Sequence, residues 1–122
     1  MDIRRNTIVW ADLKNQKGHI QSGRRPCMIV SCDIANKHAP VYTVIPGTTQ
    51  MEKADFPVHF TVHPKDIKGA LKWPTVFLTE QMTTIDKDQI IQIAGYVSNE
   101  DIIRTANEMI VRQLELGGKT NV

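Results

Sequence analysis

Apolar and β-branched residues fall in short runs along the first four-fifths of the chain, with polar loops between them. Short runs of this kind are typical of β-strands. We expect six strands: TIVWADL (7–13), PCMIVS (26–31), VYTVIP (41–46), FPVHFTV (56–62), TVFLTE (75–80) and QIIQIAGYV (89–97). Parallel strands need crossovers of a dozen or more residues, and these connections are mostly too short, so the pattern predicts an antiparallel sheet.

The pattern becomes helical in two places. DIANKHAP (33–40) predicts one helical turn that begins at an N-cap, Asp33, and is broken before Pro40. Ser98 and Asp101 resemble a capping box, and they precede apolar residues at helical spacing that stop before two glycines: Ile102, Ala106, Met109, Ile110, Leu114, then Gly117 and Gly118. The expected fold is mainly β, a small antiparallel barrel or half-barrel packed by one C-terminal helix.

Composition limits the number of domains and the class of protein, but it does not indicate a function. The 122 residues, 41% hydrophobic and 23% charged, indicate one compact domain over 1–122. The chain begins without a long apolar segment and has no window of about 20 apolar residues, so we expect a cytosolic protein without a membrane span. Cys27 lies in the second predicted strand and Cys32 directly follows it, so an extended chain would hold them about 16 Å apart at 3.3 Å per residue, too far for a disulfide. We expect reduced thiols and no zinc site.

Positive charge is concentrated near the N-terminus. Residues 1–37 hold seven Lys and Arg against three Asp and Glu, and the rest of the chain holds eight against ten. A polar loop, KNQKGHIQSG (14–23), leads to Arg24 and Arg25 at the mouth of the second predicted strand. Because guanidinium groups stay charged, both arginines must face water, a carboxylate or a bound anion. Trp10 is expected in the core, and Trp73 is left unassigned between core and base stacking.

Five sequence blocks carry a family resemblance: IVWADL, SGRRPCMIVSCDIANKHAP, VIPGTTQ, PVHF and LTEQMTTIDKDQI. Together they cover about residues 4 to 97, and their order and spacing resemble the MazF/PemK toxins, mRNA endonucleases of toxin-antitoxin systems. The resemblance implies an SH3-like barrel of the MazF, PemK and CcdB type. It also implies a homodimer that binds single-stranded RNA in a groove across the dimer, where the acidic tail of a MazE-like antitoxin blocks it.

The resemblance also implies a catalytic pair, Arg25 and Thr48. The implied reaction is attack of a ribose 2′-hydroxyl on the adjacent phosphate, without a metal ion or other cofactor. A guanidinium suits the negative charge that gathers on the phosphate oxygens, and a threonine hydroxyl adds a hydrogen bond. An arginine is a poor general base, so we expect electrostatic stabilisation from Arg25. Taken alone, GRRP would favour an arginine paired with a carboxylate at a strand end.

Several further residues are candidates for RNA contact: Gln21, Arg24, Thr49, Gln81 and His19. Gln81 is expected to hydrogen-bond an unstacked base, and Glu80 to hold an arginine, although both equally suit a polar strand end. Arg24 contacts the RNA backbone or is simply solvated. His19 either approaches the scissile phosphate or is a solvated loop residue. For the other histidines the sequence favours structural roles: His38, His59 and His63.

Four positions depart from the family pattern and put the usual loop contacts in doubt. Asn6 and Thr7 stand where the family usually has Gly-Asp, Ile20 stands where it has an acidic residue, and Thr83 stands where a basic residue is common. Two rival functions remain. One, made plausible by these four departures, is a degenerate module that binds RNA or protein without cutting. The other is a non-enzymatic toxin of the same fold, such as the gyrase poison CcdB, whose group depends on a C-terminal Trp-Gly-Ile. This chain ends GGKTNV and keeps Arg25 and Thr48, which favours the nuclease.

Overall fold

A computed structural model describes residues 3–117. They form eight strands and two α-helices, joined partly by 3₁₀ turns. In chain order these are β1 (Thr7–Asp12), β2 (Arg24–Ile29), α1 (Asp33–His38), β3 (Val41–Thr48), β4 (His59–Val62), β5 (Ile67–Gly69), β6 (Thr75–Leu78), β7 (Thr83–Asp86), β8 (Ile90–Val97) and α2 (Glu100–Leu114). The fold is mainly β with a C-terminal helix, as the sequence predicts.

The strands form one curled antiparallel sheet in the order β4-β6-β3-β2-β1-β8-β5, with β7 paired to β3. β3 is the centre of the curl. Its first half pairs with β7, its middle with β2, and its last two residues, Gly47 and Thr48, with β6. β3 therefore contacts three different strands along its length, and its C-terminal end extends past its pairing with β2.

Both faces of the central strands are buried, each in a separate core. The first core packs against α2 and includes Ile8, Met28, Ile45, Phe77 and Met109. The second core fills the opposite face and includes Val9, Cys27, Ile29, Tyr42, Val44 and Ile85. Successive residues of a strand point to opposite faces, so Ile8 and Val9 enter different cores although both are fully buried. This explains why the central strands are apolar in runs and do not alternate.

Two strands were not predicted, β5 and β7, which lie in segments expected to be connections. β5 has only three residues and ends at Gly69. β7 reads TTID and buries only Ile85. β2 also begins two residues earlier than predicted, at Arg24, and β4 begins three residues later, at His59. Pairing to neighbouring strands forms these segments, and local apolar pattern does not reveal them.

Both predicted helix N-caps are wrong by one residue. The N-cap of α1 is Cys32, not Asp33, and Asp33 instead accepts a hydrogen bond from the Arg5 backbone amide. The N-cap of α2 is Asn99, not Ser98, and its side chain accepts from the Asp101 amide. The predicted stop at Gly117 lies just beyond the helix end, whereas Gly118 lies outside the described residues.

The remaining structural expectations have mixed outcomes. Cys27 is buried and Cys32 is exposed beyond the end of β2, and both are free thiols. Trp10 packs against the first core but is only half-buried, and Trp73 is 67% exposed. Among residues 3–117, no helix is long and apolar enough to cross a membrane.

Candidate active site and RNA-binding surface

Arg24 and Arg25 open β2 and lie on opposite faces of the sheet. Arg24 lies across from Asp12 of β1 and is exposed, whereas Arg25 lies across from Ala11 and is half-buried. Strand alternation puts Arg24 on the face of Trp10 and Arg25 on the face of Cys27. Burial raises the pKa of the Cys27 thiol to about 12, and the charge of Arg25 opposes that rise, as expected for neighbours on one face.

The Arg25 guanidinium is anchored at one nitrogen. Its Nε donates to the Ser22 backbone carbonyl at 3.1 Å, which ties the side chain to the end of the β1–β2 loop. Within residues 3–117 no carboxylate pairs with Arg25. This argues against the reading in which GRRP holds a structural ion pair. The Nη groups keep their parallel donors for an anion.

Thr48 is the last residue of β3. The ladder between β2 and β3 ends at the pair of Cys27 and Pro46, and the same register continued by two residues would set Arg25 opposite Thr48. Directly opposed residues of antiparallel strands share a face, with Cβ atoms about 5 Å apart. Thr48 is 3% exposed, and its Oγ1 accepts from the Gln50 amide at 3.3 Å, so its hydroxyl hydrogen remains available.

Gly47 permits this close approach. A Cβ on Gly47 would lie 2.6 Å from Cγ2 of the buried Thr75 and 3.2 Å from the Pro26 carbonyl oxygen. Both distances are shorter than ordinary packing contacts, so any larger residue would push β3 away from β2 or β6. The glycine therefore keeps Thr48 close to the start of β2.

Three of the predicted RNA contacts lie together in a cleft of about 420 Å³, which we call the glutamine cleft. Its lining includes His19, Gln21, Phe56, His59, Glu80 and Gln81. The Gln81 side chain holds the β1–β2 loop here, since its Nε2 donates to the His19 carbonyl and its Oε1 accepts from the Gln21 amide. Each amide atom of Gln81 retains capacity for one further hydrogen bond.

Gln21 has an unmet hydrogen-bonding group beside the same cleft. Its side-chain Oε1 is buried, and it accepts no hydrogen bond from the described residues. Gln21 also lines a small cavity of about 50 Å³ between the β1–β2 loop and β7, where Gln16, Gln81 and Gln89 provide further polar groups. A buried amide oxygen without a partner is costly, so this side of the loop favours a hydrogen-bond donor.

Glu80 does not hold an arginine, contrary to the sequence-based expectation. Its carboxylate contacts His59 Nε2 at 2.7 and 2.9 Å. The other ring nitrogen of His59, Nδ1, lies 2.7 Å from the Lys53 carbonyl oxygen. The expectation failed because the strand pairing of β4 with β6 brings His59 opposite Leu78, two residues before Glu80. Glu80 therefore pairs with a residue of β4, the strand next to β6.

Arg24 and Thr49 lie apart from the glutamine cleft. Thr49 borders a groove of about 350 Å³, the tryptophan groove, lined among others by Trp10, Pro26, Leu71 and Trp73. Arg24 adjoins the same Trp10 side chain. The pKa of Asp12 is lowered, chiefly by a hydrogen bond from the Lys14 backbone amide, and Arg24 adds a smaller attraction. The sheet thus separates the predicted RNA contacts into two groups, with Arg25 and Arg24 on different faces.

Family comparison decides which class of protein carries this site. A family model described as a PemK-like, MazF-like toxin of type II toxin-antitoxin systems matches residues 4–111. The chain belongs to this toxin family. The resemblance carried by the five sequence blocks is thereby confirmed.

Solved structures share the fold of this PemK/MazF-like toxin across nearly the whole chain. A mycobacterial endoribonuclease in complex with its cognate antitoxin is 21% identical, with a TM-score of 0.71, covering 97% of this chain and 98% of that one. MazF from Deinococcus radiodurans is 20% identical, with a TM-score of 0.75 and coverages of 95% and 99%. A MazE-MazF complex from that organism is 19% identical, with a TM-score of 0.72 and coverages of 96% and 99%.

Three of the four positions at which this PemK/MazF-like toxin departs from the family pattern are Asn6, Thr83 and Ile20, and the structure shows the surroundings of each. Asn6 has φ of 73°, the left-handed region that glycine or asparagine adopts most easily, so Asn6 is a fitting replacement for the usual glycine. Thr83 pairs with Val44 as the first residue of β7 and is exposed. Ile20 is 54% exposed and borders the 50 Å³ cavity, where it removes the negative charge usual at that position.

Sequence reasoning missed two residues of the glutamine cleft, Phe56 and His59. Phe56 was expected inside a strand but lies in the turn before β4, where it is 53% exposed. An apolar residue before a proline, in FPVHF, was the available signal for a chain leaving the sheet. His59 was expected to be structural, and its ring is indeed held at both nitrogens. Among the described residues of this toxin, no group of His, Cys, Asp and Glu is arranged to hold a metal ion.

Proposed function

We propose that this chain is a toxin endoribonuclease, a single domain over 1–122, that cuts single-stranded mRNA at short sequence motifs. The reaction needs no metal ion and leaves a 2′,3′-cyclic phosphate and a 5′-hydroxyl. Arg25 and Thr48 are the catalytic residues. The observation that supports this proposal is the register of β2 and β3, because their ladder ends two residues from an arginine without a carboxylate partner on β2 and two residues from a buried threonine on β3.

In the proposed reaction the ribose 2′-oxygen bonds to the adjacent phosphorus, and the bond from phosphorus to the 5′-oxygen breaks. The 2′-hydroxyl proton passes to water, and the departing 5′-oxygen takes up a proton. Negative charge grows on the two remaining phosphate oxygens as the new bond forms. Arg25 stabilises that charge with its Nη donors, and the Thr48 hydroxyl donates to one of the same oxygens.

RNA, an antitoxin and a second copy of the chain are the proposed partners, and the cytoplasm is the proposed location. Gln21, Gln81 and His19 contact RNA from the glutamine cleft, and Arg24 and Thr49 contact it from the tryptophan groove. The antitoxin is MazE-like, a proposal supported by the antitoxin and MazE complexes of structurally similar toxins. The dimer follows from the family resemblance.

The test compares the protein with its Arg25→Ala variant on a long single-stranded RNA in EDTA. We expect discrete cuts by the protein, with cyclic phosphate at the new 3′ ends, and none by the variant. Arg104→Ala is the matched control, because Arg104 is an exposed arginine paired with Asp101 on α2. It should cut like the unaltered protein. A deoxyribose just before the cut site should abolish cleavage there, since the nucleophile is missing.

Two results would contradict the proposal in different ways. Uncut RNA across many sequences, with RNA still bound, would support the non-cutting module instead. Cleavage that requires magnesium, or that persists in Arg25→Ala, would reject the mechanism while leaving a nuclease. Inhibition of DNA gyrase without RNA cleavage would support the rival toxin class.

A further inference from the structure

Phe56 is an exposed aromatic ring in a cleft whose other lining groups are mostly polar. It is 53% exposed in the turn before β4 and borders the glutamine cleft with Gln21 and Gln81. Single exposed phenylalanines are common on protein surfaces, but Phe56 shares its cleft with amide groups that can hydrogen-bond the edge of a base. An aromatic face beside free amide donors and acceptors is the chemistry that recognises an unstacked base.

The Phe56 ring is held firmly for an exposed side chain. It contacts the buried His59 ring, with centroids 4.7 Å apart and planes tilted by 41°. Its backbone carbonyl accepts from the His59 amide at 2.9 Å, and the next carbonyl, of Pro57, accepts from Arg112 of α2 at 3.0 Å. A ring with fixed orientation loses little conformational freedom when a base stacks on it.

The His59 ring is itself fixed from both sides. Its nitrogens face the Lys53 carbonyl and the Glu80 carboxylate, and both of these are acceptors. Rotation of the ring would therefore break a contact at one nitrogen or the other. The tie joins the turn that carries Phe56 to the 3₁₀ turn Thr79–Gln81 that carries Gln81.

The cleft lining has no excess of positive charge, which favours a neutral base over a phosphate. Glu52 and Lys53 offset each other at the rim, and the Glu80 carboxylate contacts the His59 ring. Arg25, which pairs with no carboxylate among residues 3–117, follows Gln21 in the chain and donates to the Ser22 carbonyl. A phosphate would therefore bind at Arg25 and a base in the glutamine cleft, at different parts of the β1–β2 loop.

We infer that Phe56 is the surface on which an unstacked RNA base stacks in the glutamine cleft, and that His59 and Glu80 are positioning residues for it. The inference rests on the proposed function for its ligand, RNA. It assigns Phe56 a part in recognising the cut sequence and leaves the reaction itself to Arg25 and Thr48.

Binding is measured by fluorescence anisotropy with a labelled RNA of about a dozen mixed nucleotides whose 2′-hydroxyls are replaced by fluorine, so that it cannot be cut. Phe56→Ala should raise the Kd about 5- to 100-fold, the usual loss for one stacked base. Phe56→Trp should stay within about twofold of the unaltered protein. Ile34→Ala, which removes a 78% exposed side chain on α1, is the control and should leave Kd unchanged.

The positioning role has its own readout. Glu80→Ala should raise the Kd in the same direction as Phe56→Ala, and the double variant should be little worse than either. Glu80→Gln keeps an acceptor for the His59 ring and should restore most of the binding. Separate additive losses would reject the positioning role.

Cleavage of unmodified RNA by the same preparations separates the two proposals. If RNA is cut but Phe56→Ala binds as tightly as the unaltered protein, the inference is wrong and the proposed function stands. If binding depends on Phe56 but no RNA is cut, the inference stands and the endoribonuclease does not. A protein that does not bind the fluorinated RNA at all overturns the inference.

Discussion

At the scale of single residues, the Thr48 hydroxyl combines burial with an available hydrogen. It is 3% exposed and accepts a bond from the Gln50 amide, which orients the oxygen and leaves its hydrogen to donate. A donor held in this way needs no reorganisation when charge develops on a nearby oxygen. The Arg25 guanidinium is held less firmly, because only its Nε donates a hydrogen bond within residues 3–117.

Thr48→Val removes the hydroxyl and keeps the shape of the side chain. We predict that kcat/KM for RNA cleavage falls about a hundredfold, the usual loss for one donor to a developing oxyanion. Thr48→Ser should stay within about tenfold of the unaltered protein, since the donor is retained. Steady-state cleavage of a fluorogenic RNA measures both. Equal losses in the two variants would show that the methyl group, and not the hydroxyl, matters.

At the scale of elements, the β1–β2 loop is held by its own hydrogen bonds and by one distant side chain. Within the loop, the Gly23 amide donates to the Lys14 carbonyl. Gln81 lies about 60 positions along the chain from the loop and makes two hydrogen bonds to its backbone, at His19 and Gln21. The turn after β6 therefore supports an exposed loop from outside.

Gln81→Ala should loosen this loop without unfolding the protein. We expect a change of about 1 kcal/mol or less in the free energy of unfolding, because the site is only half-buried. Cleavage by trypsin after Lys14 and Lys17 should become several-fold faster. Gln92→Ala, at an exposed glutamine of β8, is the control. Unchanged trypsin sensitivity would mean that the loop is ordered by its own turns.

The start of α2 depends on a buried carboxylate, Asp66. Its oxygens accept from the His63 amide and the Asn99 side chain, and its backbone carbonyl accepts from the Ser98 and Asn99 amides. Burial alone would raise the pKa of this carboxyl, but the hydrogen bonds outweigh burial and lower the pKa. Asp66 thus connects the turn before β5 to the N-cap of the helix.

A lowered pKa in the folded state means that Asp66 stabilises the protein while it is ionised. This stabilisation is complete above the unfolded pKa, about 4, and is lost as pH falls through the folded pKa. Asp66→Asn should lower the free energy of unfolding at pH 7 by about 1–3 kcal/mol, because its amide group faces another donor. It should also flatten the fall in stability below pH 5. Urea unfolding at several pH values measures both, with the exposed Asp88→Asn as control.

At the scale of the whole molecule, α2 and the curled sheet share the first core. Met109 is 8% exposed and lies in the core that also holds Ile8, Met28 and Phe77. The helix therefore completes the burial of one sheet face. A domain of this size, with one continuous core across helix and sheet, is expected to unfold in a single transition.

Met109→Ala should lower the free energy of unfolding by about 2–4 kcal/mol through the cavity it leaves. Circular dichroism, which follows the helix, and tryptophan fluorescence, which follows Trp10 on the sheet, should report coincident transitions. Val111→Ala, at a 40% exposed position of the same helix, should cost less than about 1 kcal/mol. A helix signal that melts before the fluorescence change would contradict a shared core.

Prediction from sequence succeeded where local pattern and structure coincide. The β-rich fold and the C-terminal helix follow from apolar runs and helical spacing, and six of the strands lie where such runs occur. β5 and β7 could not be found in this way, because their residues are ordered by partner strands and bury little themselves. The expectation that Glu80 holds an arginine was wrong for the same reason, because the pairing of β4 with β6 brings His59 beside Glu80 as its partner.

For the candidate site, residue types and block order pointed to Arg25, Thr48, Gln21 and Gln81, and their chemical roles remain predictions. The sequence could have predicted that Arg24 and Arg25 lie on opposite faces, because side chains alternate along a strand once β2 is known to include both. It could not have predicted the partners of Gln81, since a contact over 60 positions has no local signal. The exposed position of Phe56 could be predicted only with knowledge of where β4 begins.

The register of β2 and β3 has a consequence for how such toxins diverge. Cys27 to Ile29 are paired with Val44 to Pro46, so the positions of Arg25 and Thr48 are set downstream of the β1–β2 loop. Insertions, deletions and substitutions within residues 14–23 leave that pairing intact while changing the walls of the glutamine cleft. An inserted residue inside β2 would instead exchange the faces of Arg24 and Arg25. Under the proposed function, changes in this loop alter the sequence preference of the toxin, whereas the length of β2 is constrained.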